Sequence, residues 1–262
     1  MVGSRGMPEG HTIHNAARDH RKLFVGHKVD ASSPQGRFSD GAKLINGKEC
    51  IAVEAYGKHL LYKFKSHQFL HIHLGLFGRI KRQKLPVHEA KGSVRLRLVG
   101  KTHFIDVHGP TICEVIDKKA GSKIIDRIGP DLLRKDSDPK KFFKRVTKSK
   151  AKISTLLMDQ SVIAGIGNIY RTELLWRQGI HPNVTGRDLT MDQLEDLWDD
   201  AKVLLELGAK RNKIITNFDI GTGKLRDNLN IYKKKQCPKC QGVIFQVEIS
   251  GRKVFFCDLC QS

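Results

Sequence analysis

The segment CPKCQGVIFQVEISGRKVFFCDLC (237–260) decides how the end of this chain folds. Two C-x2-C pairs flank two short runs rich in β-branched and aromatic residues, and Ser250-Gly251 between the runs is typical of a tight turn. Each C-x2-C pair presents two sulfurs to one tetrahedral ion, a spacing typical of structural zinc sites. The sequence therefore predicts a β-hairpin zinc finger with one structural Zn²⁺, although two disulfides are the alternative outside a reducing compartment. The predicted ligands are Cys237, Cys240, Cys257 and Cys260.

Arg252 directly follows the predicted hairpin turn. A closed zinc site does no chemistry itself, so its role would be to hold this turn rigidly. Arginine forms strong charge-assisted hydrogen bonds with phosphate oxygens. We therefore expect Arg252 to contact phosphate, the alternative being a solvated surface arginine.

The charge of the chain indicates a polyanionic partner. Among 262 residues, Lys and Arg number 47 against 27 Asp and Glu, a net charge of +20. Such an excess attracts nucleic acid, whereas solubility alone usually needs far less charge. No run approaches the roughly 18 apolar residues of a membrane span, and the first six residues lack the apolar part of a secretory signal. We expect a cytoplasmic, nucleoid-associated monomer. Cys50 and Cys113 stand alone in apolar runs, so we expect them to be buried as small hydrophobic residues.

Hydrophobic periodicity divides the chain into an α+β arrangement. After Glu9, apolar and small residues recur at helical spacing until Gly26, and short β-type runs then extend from 28 to about 115. The pattern predicts an antiparallel β-sandwich with a leading helix, followed by helices that include KISTLLMDQSVIAG (152–165) and NIYRTELLWRQG (168–179). We expect an N-terminal domain (7–127), a linker (128–138), a helical domain (139–229) that ends in a loop with Gly221 and Gly223, and the zinc finger (230–262).

A glycine turn precedes the second of these helices, in the segment SVIAGIGNIYRTELLWRQGIHP (161–182). Glycines here often only end a helix, and the segment is not a dinucleotide fingerprint, because a helix precedes it and the third glycine is missing. A glycine turn that leads into a helix nevertheless presents amide N–H groups to an anion. We expect Gly165, Gly167 and Asn168 to bind one phosphate.

Two further turns are candidates for contact with nucleic acid. Lys58 lies at a predicted hairpin turn, where a lysine is ordinarily a surface residue. Leu76 and Phe77 form an apolar tip between two glycines, which is either a buried strand end or a wedge for a base stack. His71 and His73 share one face of the strand before this tip, but no carboxylate is near in sequence and we assign no metal to them.

These motifs, in this order, resemble the formamidopyrimidine-DNA glycosylase / endonuclease VIII family of base-excision repair enzymes. The resemblance runs from Met7 to Cys260. It rests on MPEG (7–10), GKHLLY (57–62), HLGLFG (73–78), LMDQSVIAGIGNIYRTELLWRQGIHP (157–182) and GRKVFFCDLC (251–260). It implies a helix–two-turn–helix element in the helical domain and damaged double-stranded or bubble DNA as the partner.

The resemblance also implies a bifunctional DNA glycosylase and abasic-site lyase. The initiator methionine is removed in this family and the exposed proline nitrogen is the nucleophile, which maps onto Pro8. Met7 is then the natural start, and residues 1–6 are an upstream mis-assignment or an expression remnant. Glu9 matches the carboxylate that moves protons, Lys58 the lysine that meets the lesion and its phosphate, and Asn168 and Arg252 the phosphate contacts. The alternative role of Pro8 is that of a common first-turn helix residue.

Departures from the family pattern favour the endonuclease VIII branch, whose usual substrates are oxidised pyrimidines. Thr12 stands where a second carboxylate is often found, and Leu76 where the wedge is often methionine. The Arg-x-Phe pair of the oxidised-purine branch is not evident in DVHGPTICEVID (106–117). Two alternatives stay open, namely preference for oxidised purines and a non-catalytic zinc-finger DNA-binding protein whose N-terminus is blocked.

Overall fold

A computed structural model describes residues 8–218 and 227–262. The predicted start at Met7 and the predicted loop with Gly221 and Gly223 lie outside this part of the chain. The chain divides into two compact units, one ending at Arg127 and one beginning at Ile128. No helix in the described residues is long and apolar enough to cross a membrane.

The first unit is an antiparallel β-structure with a leading helix, as predicted. Its helices are α1 (Gly10–Phe24), α2 (Ser39–Ile45) and α3 (Lys118–Arg127). Its strands are β1 (His27–Ser32), β2 (Lys48–Tyr56), β3 (His59–Phe64), β4 (Phe69–His73), β5 (Arg79–Lys84), β6 (Val94–Val99), β7 (His103–His108) and β8 (Ile112–Ile116).

The strands pair in the order β5-β7-β6-β1-β2-β3-β4-β8. Strand β1 joins the two halves of this sheet, since His27–Val29 pair with β2 and Asp30–Ser32 pair with β6. Side chains of both halves, such as Tyr62 on β3 and Leu98 on β6, belong to one hydrophobic cluster. The sheet thus folds over a single core, as in a β-sandwich.

Helix α1 packs its apolar face into this core. Ile13, Ala17 and Phe24 are buried, and the helix ends before Gly26, whose φ of +80° suits a residue without a Cβ. His20 Nδ1 lies 2.5 Å from the Tyr62 hydroxyl, and burial lowers the pKa of His20 to about 3, so the ring is neutral. This packing fixes the N-terminal end of α1, where Pro8 and Glu9 lie.

Two helices of the first unit, α2 and α3, differ from the sequence prediction. The sequence predicts only strands between 28 and 115. This is wrong at α2, a short helix whose periodicity is weak because only Ala42 and Ile45 are buried. Helix α3 buries only Gly121 and Ile124, too few residues for a recognisable period. Strand β5 (RIKRQK) carries exposed cations because it lies at the edge of the sheet.

The second unit is helical and ends in the predicted hairpin. Its elements are α4 (Pro139–Thr147), α5 (Ile153–Leu156), α6 (Asn168–Arg177), α7 (Met191–Arg211), β9 (Phe245–Ile249) and β10 (Arg252–Phe256), with a 3₁₀ turn at Gly186–Asp188. Its core includes Phe142, Tyr170 and Leu204.

The helix predicted over 152–165 is wrong beyond Leu156. Asp159 Oδ1 accepts a hydrogen bond from Ser161 N at 2.8 Å, and Gln160 Oε1 accepts one from Gly165 N at 3.0 Å. These side chains replace helical backbone partners, so successive turns connect α5 to α6. Residues of the predicted linker pack on the same turns through Gly129 N to Gln160 O and Ala164 N to Pro130 O, both at 2.9 Å.

Candidate active site and nucleic-acid interface

Glu9 is the residue that caps the N-terminal end of α1. Its backbone carbonyl accepts a hydrogen bond from Thr12 N at 2.9 Å, and only 1% of the residue is exposed. Pro8, directly before it, is half-buried. A carboxylate at a helix N-terminus is stabilised by the positive end of the helix dipole. The structure therefore places a buried carboxyl group beside Pro8.

His11, the second residue of α1, is the buried titratable group nearest to Glu9 in the sequence. Burial, followed by the nearby His14, lowers the pKa of His11 to about 4. The ring is therefore neutral at neutral pH, and the N-terminal turn of α1 gains no histidine charge from it.

Lys58 occupies the two-residue turn between β2 and β3. Tyr56 pairs with His59 across this turn, and Gly57 has a φ of +56°, which the tight reversal requires. The lysine is half-buried, and its charge contributes to lowering the pKa of His73 after burial of that ring. The hairpin thus holds one cation at a defined position.

Next to Lys58 lies a hydrogen-bonded chain that sequence reasoning missed. His59 Nδ1 is 2.9 Å from His71 Nε2, and His71 Nδ1 is 2.9 Å from Glu114 Oε1. Strand β8 pairs Glu114 with His71 and so supplies the carboxylate that is absent nearby in sequence. The only signal in the sequence is the pair His71 and His73 on one strand face. Their nitrogens do not converge on a metal site in the described residues.

Leu76 and Phe77 lie at the tip of the turn between β4 and β5. Phe77 is 88% exposed and Leu76 is 41% exposed. The turn has a rigid base, since Gly78 N donates to Leu74 O at 3.0 Å and Thr111 N donates to His73 O at 2.9 Å. Gly75 has a φ of +66°, and a Cβ there would lie 1.8 Å from Thr111 Oγ1. The fold therefore displays an aromatic side chain to solvent on a fixed support.

The glycine turn before α6 lies in the second unit. Gly165 has a φ of +91° and its N–H is bound by Gln160 Oε1, so this glycine shapes the turn. Gly167 is the N-cap of α6 and accepts a hydrogen bond from Arg171 N at 2.9 Å. Asn168 is 4% exposed, its Oδ1 accepts from Arg171, and its Nδ2 donates to Lys253 O at 3.0 Å.

The four cysteines predicted as ligands converge at the base of the β9–β10 hairpin. Their sulfurs all lie within 4.8 Å of one another, with 3.8 Å between Cys237 and Cys260 and 3.5 Å between Cys240 and Cys257. Tetrahedral zinc at about 2.3 Å from each sulfur requires a sulfur–sulfur distance of roughly 3.8 Å. The cluster therefore fits such an ion. None of the six cysteines, all of which are described, forms a disulfide.

The hairpin turn is Ser250-Gly251, and both residues have positive φ, 53° and 70°. This is the two-residue turn that suits twisted antiparallel strands. Arg252 is the first residue of β10, pairs with Ile249 and is half-buried. Since Asn168 binds the carbonyl of Lys253, the structure brings Asn168 close to the chain position of Arg252.

Glu173 is a structural residue that sequence reasoning missed. It lies on α6 with no exposed surface and accepts hydrogen bonds from the Thr216 hydroxyl and from the backbone N–H groups of Asn230, Ile231 and Tyr232, at 2.6–2.9 Å. The signal was a carboxylate within a helix, directly before the two buried leucines Leu174 and Leu175. It fixes residues 230–232 just before the cysteine cluster.

Two domains of a known family match the chain, one within each compact unit. The formamidopyrimidine-DNA glycosylase N-terminal domain matches residues 7–113, and the formamidopyrimidine-DNA glycosylase H2TH domain matches residues 128–219. The chain belongs to the formamidopyrimidine-DNA glycosylase family. This family comprises DNA glycosylases of DNA repair and includes the proteins named endonuclease 8. The range matched by the H2TH domain contains α5, the successive turns after it and α6, which together form a helix–two-turn–helix element.

Two members of the formamidopyrimidine-DNA glycosylase family align with nearly the whole chain. Endonuclease 8 1 of Mycobacterium tuberculosis is 41% identical over 268 residues, covering 98% of this chain and 100% of that protein. Formamidopyrimidine-DNA glycosylase of Lactococcus lactis is 29% identical, covering 97% of this chain and 99% of that protein.

Solved structures of the Lactococcus lactis glycosylase share the fold. One, bound non-covalently to DNA containing an abasic site, has a TM-score of 0.80 at 26% identity and covers 97% of this chain and 99% of that chain. Another, bound to DNA containing Fapy-dG, has a TM-score of 0.79 at 26% identity and covers 96% of this chain and 98% of that chain.

Proposed function

We propose that this protein removes oxidised bases from DNA and cleaves the resulting abasic site through an imine formed with Pro8. The observation that carries the proposal is the buried carboxyl group of Glu9 directly beside Pro8 at the N-terminal end of α1. The family match supplies the reaction class, and the half-buried Lys58 lies in the same unit. This first unit, with residues 7–127, is the proposed catalytic domain.

The proposed reaction begins at the nitrogen of Pro8, freed by removal of the preceding residues. The nitrogen attacks C1′ of the damaged nucleotide, the C1′–N glycosidic bond breaks and the base leaves with the bonding electrons. The amine then loses its proton, the C1′–O4′ bond of the sugar ring breaks as O4′ takes a proton from Glu9, and C1′ and the nitrogen form an iminium ion. Because its nitrogen comes from a secondary amine, this ion cannot lose its charge by releasing a proton from nitrogen. This ion acidifies the C2′ proton. Loss of the 3′ phosphate by β-elimination and then of the 5′ phosphate by δ-elimination follows.

The chain's own side chains serve these steps. Glu9 transfers protons to and from the sugar oxygens, and Lys58 contacts the damaged nucleotide and its phosphate. If residues before Pro8 remain attached, its nitrogen is an amide without a nucleophilic lone pair. Processing to Pro8 is therefore a requirement of the proposal.

The second unit is proposed to hold the DNA. Gly167, Asn168 and Arg252 would bind phosphates, with Gly165 shaping the turn before α6, and Zn²⁺ bound by the four cysteines would hold the hairpin that carries Arg252. We propose 128–138 as the linker, 139–229 as the helix–two-turn–helix domain and 230–262 as the zinc finger. Leu76 and Phe77 of the first unit would enter the base stack when the nucleotide is flipped out of the duplex or bubble. The protein would act as a monomer.

Oxidised pyrimidines are the proposed substrates. A relative named endonuclease 8 1 matches over nearly the whole chain, and only Gly109, Pro110 and Thr111 connect β7 to β8, where the Arg-x-Phe pair is absent. The alternative, oxidised purines, is favoured by the relatives named formamidopyrimidine-DNA glycosylase. Excision of thymine glycol and oxidised guanine from otherwise identical duplexes decides between them. Faster removal of oxidised guanine would overturn the pyrimidine proposal.

The test of the mechanism is borohydride trapping on an oligonucleotide with one abasic site. Protein that begins at Pro8 is compared with protein that retains the preceding residues, after intact mass has established each N-terminus. We expect a covalent adduct only with the processed protein. Tight binding without an adduct in either form would instead support a non-catalytic zinc-finger DNA-binding protein.

A further inference from the structure

The chain formed by Glu114, His71 and His59 has no role in the proposed imine chemistry. Its two hydrogen bonds are both 2.9 Å long. One connects strand β8 to β4, and the other connects β4 to β3. This hydrogen-bonded set runs from the half-exposed carboxylate of Glu114, through the ring of His71, which is 2% exposed, to the half-buried ring of His59 next to Lys58. We call this set the histidine relay.

The donors and acceptors of the relay determine which ring nitrogens of His71 and His59 carry a hydrogen. A carboxylate only accepts, so His71 Nδ1 carries a hydrogen and donates it to Glu114. When both rings are neutral, His71 Nε2 accepts from the N–H of His59 Nδ1. His59 Nε2 then has a lone pair and no hydrogen. In this state His59 cannot donate a hydrogen bond to a phosphate oxygen.

The surroundings favour the neutral form of His59, the end of the relay beside Lys58. Burial lowers the pKa of His59 to about 3, and the neighbouring His73, His71, Arg127 and Lys58 add to this in that order. The ring of His73 lies 4.8 Å from that of His59, and burial also lowers the pKa of His73. The groups that face His59 are therefore Lys58 on the hairpin, His71 and His73 on β4, Glu114 on β8 behind His71, and Arg127 at the end of α3.

We infer that the histidine relay takes up a proton when a DNA phosphate binds beside Lys58. The proton adds to His59 Nε2, and the hydrogen on His59 Nδ1 passes to His71 Nε2. The positive charge then resides on His71, next to the Glu114 carboxylate, and His59 Nε2–H becomes a donor for a phosphate oxygen. The bound phosphate also offsets the charge of Lys58, which opposes protonation in the free protein.

This inference rests on the proposed placement of a phosphate near Lys58 and makes the binding of DNA depend on pH. A group that gains a proton on binding has a higher pKa in the complex than in the free protein. Affinity therefore rises as pH falls through the range in which histidine titrates, between about pH 8 and pH 6. The limit is about tenfold per pH unit while one full proton is taken up.

The experiment is calorimetric titration of the protein with a duplex that carries a stable abasic-site analogue. Each titration is repeated in two buffers of different ionisation enthalpy, which gives the number of protons taken up. Glu114→Gln removes the charge that stabilises protonated His71 but keeps the size of a half-exposed edge-strand side chain. We expect net proton uptake in the unchanged protein, and an affinity that becomes nearly independent of pH in the variant.

Two further variants separate this role from a general effect. His59→Asn removes the proton acceptor and should also abolish the uptake, whereas His67→Asn removes an exposed histidine at the other end of the β3–β4 hairpin and should keep it. Unchanged uptake in Glu114→Gln, or no uptake in the unchanged protein despite tight binding, overturns the relay. Failure to bind the duplex at all contradicts the proposed function instead.

Discussion

The side-chain amide of Asn168 donates a hydrogen bond to the backbone carbonyl of Lys253 at 3.0 Å. The first residue of α6 thereby holds the second strand of the cysteine-bearing hairpin. Further along the same segment, Gln261 Nε2 donates to Ile180 O at 2.8 Å. The hairpin and the helix–two-turn–helix element are thus fastened together at both ends of α6, and the two predicted phosphate contacts of this unit depend on each other.

Replacement of Asn168 by Ala should loosen the hairpin and weaken DNA binding together. The change removes the contact with Lys253 and the acceptor for Arg171. Hydrogen exchange should become faster at 245–256, and the dissociation constant for abasic-site DNA should rise about tenfold. Asn183→Ala, at an exposed position of the same unit, is the control and should change neither quantity. Weaker binding with unchanged exchange would show that Asn168 acts on DNA independently of the hairpin.

Replacement of Arg252 by Ala should weaken DNA binding in a salt-dependent manner. One phosphate contact contributes a slope of about −0.9 to the dependence of log K on log salt concentration. We expect the slope to become smaller in magnitude by about this amount, measured by fluorescence anisotropy over a series of salt concentrations. An unchanged slope would contradict the phosphate contact.

Replacement of Glu9 by Gln should abolish base excision while DNA binding persists. The substitution keeps the size of a buried side chain but removes its capacity to exchange protons. Single-turnover excision should fall by about 100-fold or more, with a dissociation constant close to that of the unchanged protein. Excision at the normal rate would remove Glu9 from the proposed mechanism.

Replacement of Trp176 by Phe should weaken metal binding by the four cysteines. The indole N–H donates to Cys237 Sγ at 3.3 Å and so stabilises thiolate charge. Loss of such a partner behind a metal ligand typically costs about 10-fold to 100-fold in affinity. Competition with a chelator measures the effect, and Trp198→Phe, which alters the core beside Phe142, is the tryptophan control. Equal metal affinity in both variants would contradict the role of Trp176.

Replacement of Glu173 by Ala should destabilise the second unit. Five donors, including both the backbone N–H and the side-chain amide of Asn230, would lose a buried acceptor, and each unsatisfied group is costly. We expect a loss of about 3 kcal/mol or more in the free energy of unfolding, from denaturant titration. Glu195→Ala, at an exposed position on α7, should change it by less than about 0.5 kcal/mol. Similar losses in both variants would show that the buried network is not the cause.

The sequence alone determined the features that short segments encode. The leading helix follows from the spacing of Ile13, Ala17 and Phe24, whose common face must be buried. The hairpin follows from two β-type runs around Ser250-Gly251, and the cysteine spacing suffices for a tetrahedral cluster. In each case the residues that interact lie close together in the chain, so their pattern is visible without the fold.

Only the tertiary structure decided which distant side chains meet. Glu114 reaches His71 through the register of β4 and β8, and Asn168 reaches Lys253 through the packing of α6 on the hairpin. The turns after Leu156 also arise from contacts with the 129–130 segment, which outweigh local helix propensity. Strand register and side-chain hydrogen bonds between remote segments depend on the whole core, and local periodicity carries no information about them.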